Sequence, residues 1–532
     1  MSSAGSLALV GGRVRTLDVA GTVAEALLIS DGAVVAVGTS REVTERAGAG
    51  AEVVDLDGRT ALPGLIDAHA HLELSALAEQ AWVDVRTAPV EATVERVAGR
   101  AGETEPGGWI VAQGTFGQPL PTRAQLDAAV PGHPVVIRES MHRLVANSEA
   151  LERSGIDRRF VEPAGTRVRR RADGEPTGVI EEGFDLLQVP WQGSEWLERA
   201  LTAQAVESFV RYGVTTVHEL PASAAALGAW RRLAARDEMP CRIVLNPILA
   251  PGHQPTVAGV DEFVSLRRSS GAHPWLTVGA LKLFLDGAGE AAWMRPQLSG
   301  SPAGWGLPPF TYSALRGVLA ACREAQAQVW MHAVGSVAQE LALDAVEETN
   351  RTHPATDHRS RIEHVGNAIC DPAILPRLAP AGAIPVPTAS FMHRYRQPSA
   401  DFGPNRSFPF RTMLEMGLQP PGNSDSAGTQ PFATTPWHGV AALVLRLTGG
   451  GDPVPPADEA LTVEQAVLLP TRFAAQATFA ESVQGSLEPG KHGDVAVFGN
   501  DPLGLPTGEL PALEADLTIV GGRIVHRGPG AP

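Results

Sequence analysis

Two histidines stand two apart behind an apolar run in L-P-G-L-I-D-A-H-A-H-L, residues Leu62 to Leu72. A strand sends residues i and i+2 to one side, so His69 and His71 share a face with Ala70 opposite. Two imidazoles at that spacing can share a divalent ion. The same pair is also what an ordinary strand end carries where it runs into a loop. His332 directly follows Val329-Trp330-Met331, and His364 follows Arg361-Ile362-Glu363. Asp425 lies in P-P-G-N-S-D-S-A-G, after a helix and the cap-like turn at Gly417. Each falls where a predicted strand ends. Imidazole and carboxylate together suit Zn, Mn, Fe or Ni, and no thiolate is offered. Taken singly, each has a plainer reading as a hydrogen-bonded core histidine or a helix N-cap aspartate. In register at the mouths of separate strands, they converge.

Lys282 is the odd member of A-L-K-L-F-L-D-G, with Leu281, Leu283 and Leu285 on the other face of the strand. A lone buried ammonium is costly. It must pair with an acid, Asp286 or Glu219, or lose its proton, or be chemically altered. A free ammonium has no lone pair and binds no metal. A carbamylated lysine, formed with carbon dioxide, would be a carboxylate able to bridge two ions.

Weaker candidates surround these. His142 could meet a substrate or be a satisfied loop histidine. His218 and Glu219 end another predicted strand, T-T-V-H-E-L, and could face the same pocket. Arg394, with His393 and Arg396, follows the strand Ile384–Pro387 and could hold an anionic substrate group or be solvated loop charge. Asp494 reads as structural.

These residues need a scaffold. Between residues 197 and 387, apolar strand-like runs alternate with helical stretches such as Leu197–Tyr212, Ala314–Gln326 and Val337–Glu348. Such alternation predicts parallel βα units and an α/β fold. Over roughly 400 residues it predicts a (β/α)8 TIM barrel, with its site at the C-terminal strand ends. Residues from about 75 to 195 are too long for one βα unit and read as an insertion subdomain over the barrel mouth. The first 60 residues read as short strands, with a hairpin at Asp31-Gly32. Val10-Gly11-Gly12-Arg13-Val14 returns near the other end as Val520-Gly521-Gly522-Arg523-Ile524. Unless that match is chance, both termini build one small β-sandwich. The expected domains are residues 1–61 and 485–532 for the sandwich and 62–484 for the barrel.

The chain of 532 residues is 44% apolar and 19% charged, a globular composition. A net charge of −16 repels phosphate backbones, so no nucleic acid is expected as a partner. The basic run Arg167–Arg171 reads as a solvated loop. Three scattered cysteines argue against a disulfide framework and for a reducing compartment. The N-terminus lacks a basic n-region, and no stretch is apolar enough to span a membrane. The expectation is a soluble, cytoplasmic protein with a small-molecule substrate.

At this point the chain resembles the amidohydrolase superfamily, and within it amidohydrolase family 3, the branch of N-substituted formamide deformylases. The carriers are L-P-G-L-I-D-A-H-A-H, P-T-R-A-Q-L-D-A-A-V-P-G-H-P-V-V with H-R-L-V-A-N-S-E-A-L, G-E-P-T-G-V-I-E-E, L-K-L-F-L-D-G, M-H-A-V-G, R-I-E-H-V, N-S-D and G-S-L-E-P-G-K-H-G-D-V-A-V-F. They run in the family's order over nearly the whole chain. The resemblance implies metal roles for His69, His71, Lys282, His332, His364 and Asp425, most simply with two Zn ions. His69, His71 and Asp425 would hold one ion and His332 and His364 the other, bridged by carbamylated Lys282. It implies hydrolysis of a non-peptide C–N bond in an N-substituted amide, formamide or cyclic amide, with Asp425 as proton shuttle. His142, Glu219 and Arg394 would meet the substrate. A deaminase, a D-aminoacylase-like deacylase and a barrel that binds without catalysis are the alternatives. Such families are commonly dimeric. Three departures stand out: Ser336 replaces an acid, Asn423 opens the usual G-S-D, and Ser140-Met141 replaces D-G before His142.

Overall fold

Parallel strands covered on both faces need short continuous apolar runs, and such runs punctuate residues 65 to 386. The computed structural model describes residues 5–190, 192–248, 256–270, 273–294, 306–354, 357–396, 406–429 and 435–532. The runs form strands β1 (Leu65–Ala70), β2 (Val214–Glu219), β3 (Arg242–Leu245), β4 (Leu276–Val278), β5 (Leu281–Phe284), β6 (Val329–His332), β7 (Ser360–Glu363) and β8 (Ala383–Val386). They pair in parallel as two four-stranded sheets, β4-β3-β2-β1 and β5-β6-β7-β8. Helices separate them, among them Ala224–Ala235 after β2, Tyr312–Glu324 after β5 and Ser336–Thr352 after β6. This is an α/β fold, as the alternation predicts.

Backbone hydrogen bonds link the two sheets at both sides. Gly279 N donates to Leu245 O at 2.9 Å and Lys282 N to Pro247 O at 3.2 Å, carrying β3 across to β5. On the far side, residues 422–426 lie along β1. Ala68 N reaches Gly422 O at 3.0 Å, and Asp425 N reaches His69 O at 2.9 Å. Asn423 then ties this segment to β8, donating from Nδ2 to Pro387 O at 2.9 Å and accepting from Thr388 Oγ1 at 2.8 Å. Asparagine at that departure from the family pattern therefore has a structural task.

The termini supply two further sheets. Leu7–Val10 lies between Ala26–Ser30 and Glu52–Asp55, with Ala33–Gly38 outermost. The other sheet joins Val495–Phe498, Leu517–Val520 and Arg523–Arg527 to Thr60–Pro63, Arg13–Arg15 and Val23–Ala24. Leu9, Ile29, Val495 and Ile519 share one buried cluster, so the two ends of the chain pack together. Asp31 and Gly32 turn the first hairpin at φ of 50° and 80°, as a primed turn requires. The repeated Gly-Gly pairs are also turns, with Gly11 at φ 68° and Gly522 at φ 76°.

The insert carries its own six-stranded sheet, from Val83–Asp84 to Pro176–Glu181 and Arg167–Arg170. The helix Leu72–Gln80 packs two ways: Leu72 and Ala76 meet Leu197 and Leu201 of Ser194–Ser208, and Leu74, Leu77 and Ala78 share a cluster with Trp82 and Val111. The run Arg167–Arg171, expected as a solvated loop, is mostly a strand. Arg169 bonds Glu181 at 2.6 Å, and Arg170 pairs with Glu162 at 3.2 Å. Cross-strand carboxylates let arginines occupy a pleated surface. Among the described residues no helix is long and apolar enough to cross a membrane.

Candidate metal centre

Strand β1 ends at Ala70, and its alternation puts His69 and His71 on one side. Their ring centroids lie 5.5 Å apart. Both Nε2 atoms lie 3.5 Å from Asp425 Oδ1. The ligand atoms of these three residues lie within 4.8 Å of one another. His364, at the end of β7, brings Nδ1 to 4.0 Å from Asp425 Oδ2. The His332 ring, at the end of β6, lies 4.5 Å from that of His364. Strands side by side in one direction thus deliver their terminal side chains to one place. His364 and Asp425 both hold positive φ, 75° and 47°, a conformation that L residues adopt at a cost and that gathers at functional sites.

Lys282 points into the same cluster. It is 2% exposed, and its Nζ has no hydrogen-bond partner among the described residues. The expected salt-bridge partners are engaged elsewhere. Asp286 accepts from the backbone N–H groups of Trp293, Val334 and Gly335 at 2.8, 3.0 and 2.7 Å. Glu219 accepts from Glu73 N at 3.0 Å and from Leu72 N. Burial pushes the Lys282 amine down to about 8. His71 Nδ1 and His332 Nε2 are likewise buried without hydrogen-bond partners among the described residues. Buried polar atoms are rarely left so, and an ion is one of the ordinary explanations.

Burial keeps the imidazoles neutral, pushing His69 down to about 4 and His364 to about 3. Neutral imidazole is the form that ligates a metal. Burial alone would raise Asp425, but His69, His71 and His364 outweigh it and hold it well below the usual carboxylate range. His69 Nδ1 meets Glu363 Oε2 at 2.6 Å. Glu363 is held in turn by both Nε and Nη2 of Arg361, each at 2.8 Å. The carboxylate fixes the tautomer that leaves His69 Nε2 free to face Asp425. Sequence reasoning passed over Glu363 and Arg361. The available signal was the one that singled out Lys282, charge inside a buried strand.

A cavity of about 520 Å³ opens above these residues. His142, Ser140 and Met141 of the insert line it, as do His332, His364, Asp425 and Arg394. His142 Nδ1 sits 3.0 Å from both oxygens of Glu182, another residue the sequence did not single out. Burial opposes protonation of His142, but Glu182 outweighs it and raises its pKa. Arg394 lies at the wall and donates to Phe116 O at 2.8 Å. Glu219 does not reach the cavity. Its carboxylate caps the helix Leu72–Gln80, so the expected substrate contact is replaced by a structural role. His218 lines a different cavity, which lies among the loops that precede the strands and reaches inward as far as Asn246 and Gly279.

The amidohydrolase family pattern matches residues 52–526. The chain is 29% identical to N-substituted formamide deformylase of Arthrobacter pascens, covering 100% of each sequence. It is 26% identical to Protein LONG AFTER FAR-RED 3 of Arabidopsis thaliana, over 93% of this chain and 87% of that one. An uncharacterized metal-dependent hydrolase from Pyrococcus horikoshii has the same fold, with a TM-score of 0.73 at 23% identity, over 95% of this chain and 99% of that one. With the family pattern running from residue 52 to residue 526, across all the parallel strands, the chain belongs to the amidohydrolase family and is a hydrolase of carbon–nitrogen bonds.

Proposed function

We propose that this hydrolase cleaves an N-substituted amide, formamide or cyclic amide at a two-ion centre. The linked parallel sheets are read as one (β/α)8 barrel in which β4 and β5, parted only by Gly279 and Ala280, count as one interrupted strand and residues 422–426 serve as the eighth. The terminal sheets are read as a β-sandwich of residues 1–61 and 485–532, and the insert as a subdomain roofing the site. The observation that carries this reading is the convergence of four histidines and Asp425, with a buried lysine without a hydrogen-bond partner among the described residues, beneath a cavity that His332, His364 and Asp425 line.

In this reading His69, His71 and Asp425 would hold one divalent ion, and His332 and His364 would hold the other. Lys282, buried and without a hydrogen-bond partner among the described residues, would serve both as a carbamate formed with carbon dioxide, its amine proton being released. Zn suits these donors, as do Mn, Fe and Ni. A bound divalent ion acidifies water toward neutrality and polarises a carbonyl oxygen. Asp425 accepts the proton from the attacking water and delivers it to the leaving nitrogen, beside His69 and His71 at the end of β1. Glu363 holds His69 in its ligating tautomer throughout. His142, oriented by Glu182, contacts the carbonyl side of the substrate. Phe116, Met141, Met294, Phe391 and Phe408 give the cavity apolar walls for the nitrogen substituent, and Arg394 stands at the wall for a polar end.

The test is a screen of N-formyl amines, N-acyl amines and cyclic amides for amine or acid release by metal-loaded protein. Turnover of one of these classes supports the reading. Turnover confined to ring deamination of amino-heterocycles would replace it with a deaminase.

A further inference from the structure

The loops that precede the parallel strands, at the ends away from Asp425, surround a second cavity of about 1060 Å³. Barrel interiors of this type are ordinarily filled by side chains, so an opening there is unusual. Its inner wall includes His218, Asn246 and Trp330, and its outer wall includes Trp275, Arg267 and Arg323. His218 is 2% exposed, yet its Nδ1 has no hydrogen-bond partner among the described residues. A buried polar atom lining a cavity without a partner points to a ligand that supplies one.

Charge narrows the class. Of the three arginines on the wall, Arg242 is held by Asp494 at 2.7 and 2.9 Å. Arg267 donates to the backbone of Gln326 at 3.0 Å. Arg323 donates to Asn350 at 3.0 Å, and its Nη1 is buried without a partner among the described residues. Neither forms an ion pair with a carboxylate among the described residues. Of the two acids on the wall, Asp357 pairs with Arg359 at 2.9 Å, and Glu324, 3.6 Å from His353, points mostly to solvent. Arginines outnumber acids on the wall by three to two. Trp330 and Trp275 also stand on the wall, each with one ring face against a guanidinium, Arg361 at 3.4 Å and Arg523 at 3.9 Å, and the other face toward the cavity side.

We propose that this cavity is a second binding site, for a small organic anion with a flat apolar body. The anion lies toward Arg323 and Arg267, the ring system rests against the tryptophans, and His218 bonds the innermost polar atom. Arginine is the side chain best suited to a carboxylate, sulfonate or phosphate.

The experiment uses metal-loaded protein and the fluorescent probe 8-anilinonaphthalene-1-sulfonate. Its uncharged analogue, N-phenyl-1-naphthylamine, serves as comparison. Saturable sulfonate binding is expected to weaken about tenfold or more in the Arg267→Gln/Arg323→Gln double variant. Binding of the uncharged analogue is expected to stay within twofold, and Arg394→Gln, beside the other cavity, is expected to leave sulfonate affinity unchanged. An unaltered thermal midpoint shows that the double variant is folded, and soaked crystals should place the sulfonate between Arg323 and Trp330. Absence of saturable binding, equal sulfonate affinity in the double variant, or density confined to the cavity beside Asp425 would overturn the proposal.

Discussion

His69 can present Nε2 to an ion because its Nδ1 is engaged by Glu363, and Glu363 stays ionised because Arg361 grips it from two nitrogens. Removing that support changes metal affinity before it changes chemistry. Glu363→Gln is expected to lower metal affinity 10- to 100-fold, roughly the usual effect of losing such a partner, measured by competition with a chelator. Affinity within twofold of wild type would show that His69 needs no such orienting group. Asp425 has the opposite signature. Asp425→Asn is expected to retain most of the metal while turnover falls by about 10²-fold or more. A near wild-type rate in that variant would remove Asp425 from proton transfer.

At the scale of elements, Glu219 shows where the sequence misleads. T-T-V-H-E-L announces a strand end, and a strand end in a barrel is where active-site residues gather. The sequence does not reveal that the helix after β1 begins beside it at Leu72, with N–H groups needing an acceptor, and Glu219 fills that need. Burial raises Glu219 from its ordinary 4.5 to about 8. The folded state then binds more protons than the unfolded state between those values, so stability falls as pH rises. The contribution is whole below pH 4.5 and is lost as pH passes through about 8. Glu219→Gln should flatten the fall of the thermal midpoint between about pH 5 and about pH 8. A slope equal to that of wild type would contradict the assignment. The parallel strands themselves were legible, because burial on both faces demands apolar runs that sequence shows directly. The short strand Leu276–Val278 was not, since three residues after a turn carry no period. His69, His71 and Lys282 were legible for the same reason as the strands, as polar breaks in apolar runs. The Glu182–His142 contact was not, because it joins residues 40 apart through tertiary packing alone.

At the scale of the molecule, the parallel strands and the sheets of the termini are fastened by Arg242 and Asp494. The pair is buried, bidentate at 2.7 and 2.9 Å, and Asp494 also accepts from Gly521 N at 2.8 Å. Asp494 therefore does the structural work its position suggested. Asp494→Ala leaves a buried guanidinium without its carboxylate and is expected to cost about 3–5 kcal/mol in denaturant unfolding. Replacing both partners with apolar residues, Arg242→Met/Asp494→Leu, should cost less than the single change. A loss under about 1 kcal/mol in Asp494→Ala would mean that the two units are held by apolar packing instead.

The central claim is that Lys282 completes a centre for two ions. It is tested most directly by metal analysis of protein purified without chelator, wild type beside Lys282→Ala. The account predicts two divalent ions per wild-type chain and a loss of at least one in the variant. One ion or none in wild type, or equal metal content in the two proteins, would contradict it.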